Sequence, residues 1–266
     1  MSAAEAEAAA RSIATYYAPG RGARLDAWYA RFVRAGDLAF DIGAHVGDRS
    51  ACFARLGARV VAVEPQPLLA RLTAAFGGRG VKIERCVLGA RPGRATLRLN
   101  MANPTVATIS DAFIAAASGA PGWEGQAWDA AITVRQTTLD ALIAKHGVPG
   151  FIKIDVEGQE EAVLAGLSRP VAAISAEFTT IQRDVAFGVI SRLRALGYRH
   201  FNAALGETMA FAFAAPVDAA RMRGWLSDLP HAANSGDLYA SLDPGRLASS
   251  GGNGGDPLGD VQRPAQ

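Results

Sequence analysis

Four acidic residues of this chain each end a short apolar run: Asp41 after Leu38-Ala39-Phe40, Glu64 after Val60-Val61-Ala62-Val63, Asp155 after Phe151-Ile152-Lys153-Ile154, and Glu177 after Ala172-Ala173-Ile174-Ser175-Ala176. Apolar runs of that length bounded by turn residues read as buried strands, so each acid stands at a strand's carboxyl tip. In an open α/β sheet that edge borders the crevice where ligands bind. Carboxylates gathered there repel one another unless a cation or hydroxyl groups lie among them. The chemistry open to them is hydrogen bonding to sugar hydroxyls, proton removal from an acceptor hydroxyl, or ligation of a hard divalent ion. Simple capping of the helices that follow accounts for Glu157 and Asp155 but leaves the other acids unexplained.

The turn after the first strand must position Asp41. It reads Ile42-Gly43-Ala44-His45-Val46-Gly47-Asp48-Arg49-Ser50, with a helix from Ser50 to Leu56 beyond. Gly43 lets the backbone turn sharply and approach a ligand, and free N–H groups of the helix's first turn face the same crevice. An ordinary turn, with Gly43 at positive φ and Gly47 packing helix on strand, would use the same residues. Glu64-Pro65 favours the ligand: Glu64 lies 23 residues beyond Asp41, close to the roughly 20 that sets an acid beside a bound ribose. Glu64 is expected to accept from both ribose hydroxyls. A third strand, Val81 to Leu88, ends near the base, which makes Cys86 and Val87 candidates for its edge.

The remaining elements follow from period and punctuation. Residues 1–35 read as an N-terminal helical extension, with one helix over 3–18 stopped by Pro19-Gly20 and a second from Leu25 to Val33 carrying Trp28, Tyr29 and Phe32 on one face. Residues 36–244 form one α/β domain, within which about 100–130 is an irregular, tryptophan-bearing insert expected to cap the substrate side. Ala95 to Leu99 and Ile132 to Gln136 are short strands, Thr138 caps a helix to His146, and Glu160 to Leu167 and Ala186 to Leu196 are helices. Tyr198 to Ala203 and Met209 to Ala214 read as two strands whose short link makes them antiparallel, so the sheet is mostly parallel with one reversed strand. From 245 to 266 the chain is rich in Gly, Ser and Pro and reads as a disordered tail.

Composition narrows the classes. The 266 residues supply a core, and 27 basic residues against 25 acidic give a net charge of +2, with no basic stripe to suggest a nucleic-acid partner. Cys52 and Cys86, the two cysteines, cannot build a disulfide framework or a four-ligand zinc site by themselves. The four histidines show no metal spacing. No apolar run approaches the ~18 residues that span a bilayer, and Met1 to Glu7 lacks a secretory pattern, so a cytoplasmic protein with no membrane partner is expected.

Taken together, Asp41-Ile42-Gly43-Ala44-His45-Val46-Gly47, Val63-Glu64-Pro65, Phe151-Ile152-Lys153-Ile154-Asp155-Val156-Glu157-Gly158 and the acid-ended strand from Ile174 to Phe178 resemble the FkbM family of S-adenosylmethionine-dependent methyltransferases. The resemblance spans about residues 36–214, and Lys-Ile-Asp-Val-Glu-Gly is its most specific part. It implies a Rossmann-like methyltransferase fold with a mostly parallel seven-stranded sheet, one antiparallel strand and helices on both faces. It also implies that Asp41, Gly43 and Gly47 surround the methionine part of the cofactor, Glu64 its ribose, and Cys86 and Val87 its adenine, with Ala44, His45, Ser50, Pro65 and Asp155 also counted in the cofactor site. Asp155, Glu157 and Glu177 would lie beside the transferring methyl group. The family implies O-methylation of a small-molecule hydroxyl, on a sugar or natural product. His45 is a departure, since asparagine is usual there.

An alcohol is too weak an acid to lose its proton unaided at neutral pH. One of the three acids acts as general base, or Asp155 and Glu177 share a divalent ion such as magnesium that holds the acceptor oxygen. The competing readings are a nicotinamide-dependent oxidoreductase, disfavoured by the missing Gly-x-Gly-x-x-Gly turn, and a nucleoside-binding scaffold without catalysis. Neither the acceptor nor the oligomeric state is coded in the sequence.

Overall fold

A computed structural model describes residues 3–78 and 80–249. Helices α1 (Ala3–Tyr16) and α2 (Arg21–Tyr29) come first, followed by β1 (Leu38–Ile42), α3 (Asp48–Arg55), β2 (Arg59–Val63), α4 (Pro67–Phe76) and β3 (Val81–Glu84). An excursion of β4 (Val87–Leu88), β5 (Gly93–Leu99), α5 (Asp111–Ala117) and β6 (Ala130–Thr137) leads to α6 (Leu139–His146) and β7 (Phe151–Ile154). The chain closes with α7 (Glu160–Ala165), β8 (Ala173–Thr179), α8 (Arg183–Ala195), β9 (His200–Leu205), α9 (Ala219–Asp228) and β10 (Ser235–Ser241).

Seven strands form the main sheet in the order β3-β2-β1-β7-β8-β10-β9. Neighbours from β3 to β8 pair in parallel, and β10 runs antiparallel to both β8 and β9. The expected count, and the single reversed strand, are therefore present. The identity of the reversed strand is not the expected one. Residues 209–214 form no strand: the Asn202 side-chain amide donates to the Phe213 carbonyl (2.8 Å) and accepts from the Phe213 N–H (3.1 Å), using the groups a ladder would need. The reversed strand is Ser235–Ser241, inserted between β8 and β9.

The expected third strand, 81–88, also divides. Its second part leaves the main sheet and joins β6 and β5 in a separate three-stranded sheet. At the break, Glu84 is anchored by His146 Nε2 (2.8 Å) and Arg135 (3.3 Å). The 100–130 insert is less irregular than its composition suggests, since Ser110 caps α5 by accepting from the Phe113 N–H (3.0 Å). The supposed tail begins as packed chain: Leu247 is fully buried and its carbonyl accepts from Asn202 Nδ2 (2.9 Å). Residues 250–266 of the expected tail lie outside the described residues.

Strand alternation assigns the two faces of the sheet. Leu38, Phe40, Ile42, Ile152 and Ile154 face a core completed by α6 to α9. Ala39, Phe151 and Ala173 face a second core built with α2 and α3. The N-terminal segment is thus structural: Phe32 stacks on Phe151 at 4.9 Å and on Tyr239 at 5.2 Å, with no exposure. On this second face the register sets Asp41, Lys153, Ser175, Tyr239 and Asn202 side by side across five strands. Replacing Phe32 by Ala is expected to cost about 3–5 kcal/mol, through lost burial and a cavity between two rings. Urea unfolding of the full chain measures this, and an effect below about 1 kcal/mol would contradict the packing role.

Candidate active site

The four strand-tip acids border one cavity of 1470 Å³. Its edge lies beyond the carboxyl ends of the adjacent strands β1 and β7. Gly43, at φ +85°, is required there because a Cβ would stand 1.7 Å from the Asp155 carbonyl oxygen. The close approach is thus between two loops of the chain itself, and the N–H groups of Gly43 and Ala44 are both spent on the Val63 carbonyl at 3.0 Å. Gly47, also at positive φ, packs on Thr73, and Ser50 donates to Asp41 Oδ2 at 2.6 Å. Neither Gly47 nor Ser50 lines the cavity. In the structure both stand behind Asp41 and the turn.

Asp41, Gly43, Ala44 and His45 from the first turn, Glu64 and Pro65 from the second, and Cys86 and Val87 from the third all line the cavity, as do Asp155, Glu157 and Glu177. Glu64 is oriented by backbone: one carboxylate oxygen accepts from the His45 N–H (2.9 Å), the other from the Gln66 N–H (2.8 Å). A carboxylate has about four acceptor positions, so two stay open for hydroxyl groups. Burial pushes the Glu64 carboxyl up to about 8, against the pull of those two N–H groups.

Asp155, Glu157 and Glu177 present ligand oxygens within 4.8 Å of one another. Lys153, absent from the sequence-derived site, organises them. Its ammonium is buried and donates to Asp155 Oδ2 (2.9 Å) and Asp237 Oδ1 (3.2 Å). Burial acts to raise the Asp155 carboxyl, yet the Lys153 charge and hydrogen bond keep it below the usual range. Glu157 and Glu177 are pushed well up, first by burial and then by the Asp155 charge. Asp237 connects onward to the Tyr239 hydroxyl (3.3 Å), which accepts from Trp28 Nε1 (2.9 Å).

Two further residues hold the turn that carries Glu157. This residue is at φ +55°, a region that non-glycine residues rarely occupy. Thr108 Oγ1, from the insert, donates to the Glu157 carbonyl (2.7 Å). Glu160 accepts from the N–H groups of Val156 (3.0 Å) and Gly158 (3.1 Å). Opposite the acids, Glu207 closes the wall: Arg49 and Arg21 bind its carboxylate and Arg24 donates to its carbonyl. Burial works against that charge, but Arg49 and then Arg21 hold the Glu207 carboxyl down at about 2. Asp237 and Glu207 carry no local signal, since one lies in a strand interrupted by glycine and an acid and the other in a short link, and the Lys-Ile-Asp motif by itself assigns Lys153 no partner.

A seven-stranded sheet of this order, with its glycine turn after β1 and its acid after β2, defines a Rossmann-like methyltransferase. Residues 41–200 match the Methyltransferase FkbM domain. The chain belongs to the FkbM family and is an S-adenosylmethionine-dependent methyltransferase. Among curated proteins none matches the sequence. Similar solved structures include a TehB-like SAM-dependent methyltransferase from Corynebacterium glutamicum, 9% identical, covering 87% of this chain and 92% of that one with a TM-score of 0.45. Another is the O-methyltransferase from Bacillus cereus in complex with SAH, at 11% identity, 91% of each chain and a TM-score of 0.39. No helix among the described residues is long and apolar enough to cross a membrane.

The raised carboxyls give a pH dependence with a definite sign. Glu64 keeps its proton in the folded protein up to about pH 8, while in the unfolded chain it ionises near pH 4.3. The folded state therefore binds the extra proton, and stability falls as pH rises across that interval. His45, held down at about 4 by burial, is neutral in both states above roughly pH 7. The melting temperature of the ligand-free protein is expected to drop between pH 7 and 8.5, and Glu64→Gln to reduce the drop. Equal slopes for the two proteins would contradict the assignment.

Proposed function

We propose that the protein transfers the methyl group of S-adenosylmethionine to a hydroxyl oxygen of a small molecule, a sugar or natural product. The observation that carries this reading is the Asp155–Glu157–Glu177 cluster, whose oxygens converge within 4.8 Å in the same cavity as Glu64. The residues suit a donor of this kind: Glu64 has two acceptor positions for ribose hydroxyls, Cys86 and Val87 wall the side beyond it, and His45 Nε2 is a buried polar atom without a partner among the described residues. When bound, the donor would supply a methyl group activated by its sulfonium, with the neutral thioether as the leaving group.

The chain's own residues then have two tasks. They hold the acceptor oxygen in line, which is the larger share of the acceleration, and they take its proton. Lys153 keeps Asp155 ionised in contact with the cavity, and Glu177 stands beside it. The acceptor O–H would donate into this pair and pass its proton to a carboxylate oxygen of Asp155 or Glu177 as the methyl–sulfur bond gives way to the methyl–oxygen bond. A cavity of 1470 Å³ exceeds the ~300–1,000 Å³ usual for one small ligand. That leaves space for donor and acceptor together, with the 100–130 insert capping the acceptor side.

The same three carboxylates would suit magnesium, an ion that takes oxygen ligands. Asp155, Glu157 and Glu177 would hold it, and it would supply charge for an acceptor alkoxide.

Calorimetry with S-adenosylhomocysteine and with NAD, each with and without magnesium, tests the cofactor. Binding of the first alone is expected, and binding of neither by folded protein would overturn the reading. Asp155→Asn and Glu177→Gln are each expected to lower methyl transfer about 10²–10⁴-fold, the range for a lost general base, with S-adenosylhomocysteine affinity nearly unchanged. Full turnover of labelled methyl groups in both variants would remove the acids from the mechanism. Loss of activity on chelation, restored by magnesium, would assign the cluster to the metal.

A further inference from the structure

The cavity continues past the acid cluster to the antiparallel end of the sheet, where the chain at 205–214 faces α2. The Phe211 ring meets the Trp28 ring there, with centroids 4.7 Å apart, and both line the cavity. Trp28 is tied to β10 by its hydrogen bond to Tyr239. That strand stands three spacings from β1, about 14 Å at ~4.8 Å per strand. Glu64, at the tip of β2, lies on the other side of β1 and suits the donor. The lobe at Trp28 is left for the acceptor.

Arg31 closes this lobe. Its guanidinium lies over the Trp28 ring at 4.3 Å and over the Phe211 ring at 4.9 Å, and its Nε donates to the Trp28 carbonyl (3.1 Å). One terminal nitrogen reaches the Ala248 carbonyl at 3.4 Å, and the other has no partner among the described residues. The fork is therefore held in place with donors to spare. Arg31, Arg49 and Lys153 are the arginine and lysine side chains that line the cavity. Arg49 is bound to Asp48 and Glu207, and Lys153 to Asp155 and Asp237. Arg31 has no carboxylate partner among the described residues. Burial weakens its hold on the proton, and Tyr239 rather than an acid opposes that shift. A half-buried charge without a counter-ion is costly, and an oxyanion gripped by two parallel N–H bonds offsets that cost. At the other end Asp155, kept ionised, repels an anion.

Resting on the methyl-transfer reading above, we infer that Arg31, clamped between Trp28 and Phe211, binds an oxyanion of the acceptor, a carboxylate or a phosphate. The acceptor class is then a hydroxyl-bearing small molecule that carries such a group away from the reacting oxygen. Its charge sets its orientation, with the anion docked at Arg31 and the hydroxyl delivered to Asp155.

The test follows the Arg31 Nε–H and Trp28 Nε1–H signals by NMR in the ¹⁵N-labelled full chain. The protein is titrated with inorganic phosphate and with acetate at constant ionic strength, with and without saturating S-adenosylhomocysteine. A saturable shift of both signals is expected with at least one anion, and the tighter one names the group on the acceptor. Arg31→Met, read on Trp28, is expected to weaken that anion about tenfold or more, the scale of a lost charge-assisted hydrogen bond. Arg31→Lys, which keeps the charge and loses the fork, is expected to fall between the two. Both variants are expected to bind S-adenosylhomocysteine within twofold of the parent, which also shows that they fold. Absence of a saturable shift with either anion, or unchanged anion affinity in Arg31→Met, would overturn the inference. So would a loss of S-adenosylhomocysteine affinity in folded Arg31→Met, which would move the residue to the donor. Failure of the parent to bind S-adenosylhomocysteine would instead overturn the donor assignment, while the donor-free titration still reports on Arg31.

Discussion

A single buried ammonium sets the geometry of the cavity floor. Lys153 sits on β7 with its charge removed from water, and such a charge is tolerated only when paired and hydrogen-bonded. Its two partners lie on different elements: Asp155 follows its own strand, and Asp237 belongs to β10, on the far side of β8. The crossing is possible because the β8 residue in register with Lys153 is Ser175, small enough to pass beneath the lysine chain. The lysine thereby ties β7 to β10 across β8 and biases the charge of the acid cluster, holding Asp155 ionised beside two carboxyls that burial drives toward protonation.

Strain is concentrated in the same place. His45, Glu157, Met209 and Asn234, the four non-glycine residues at positive φ among the described residues, all line the cavity, and the first two carry site side chains. Each of those two is held from outside its own turn, His45 by Glu64 and Thr73, Glu157 by Thr108 and the Glu160 scaffold. Unusual backbone states persist where surrounding bonds over-determine them. Here those bonds arrive from α4, from the insert and from the start of α7, so segments distant in sequence share the task of aiming two side chains.

The parallel half of the sheet could be read from the chain because its strands are short apolar runs, each closed by an acid and followed by a helical period. Asp41, Glu64, Asp155 and Glu177 were brought together as their positions required. The antiparallel end was misread for a physical reason. Ser235-Gly236-Asp237-Leu238-Tyr239-Ala240-Ser241 carries glycine and an acid inside a buried strand, because Asp237 answers Lys153 and Gly236 clears the Phe178 ring and the Ala204 carbonyl. Met209-Ala210-Phe211-Ala212-Phe213 alternates like a strand, yet its rings serve two different clusters, Phe211 on Trp28 and Phe213 on Trp225. Periodicity reports which side chains are buried and not which backbone groups pair. Supporting contacts such as Thr108 to Glu157 cross 49 residues and leave no local trace.

Strand β10 also bears on the order in which the molecule can be assembled. Chains emerge from synthesis amino end first, and domains fold as their parts become available. The strands from β1 to β8 can pair before β10 exists, but β9 has no place beside β8 until residues 235–241 arrive to separate them. Until then Lys153 has one of its two acids, and Tyr239 is missing from the aromatic stack that secures α2. Pairings across such sequence distances are slow to form. The Lys153–Asp237 pair and the Tyr239 contact with Phe32 therefore close only once residues 235–241 are in place.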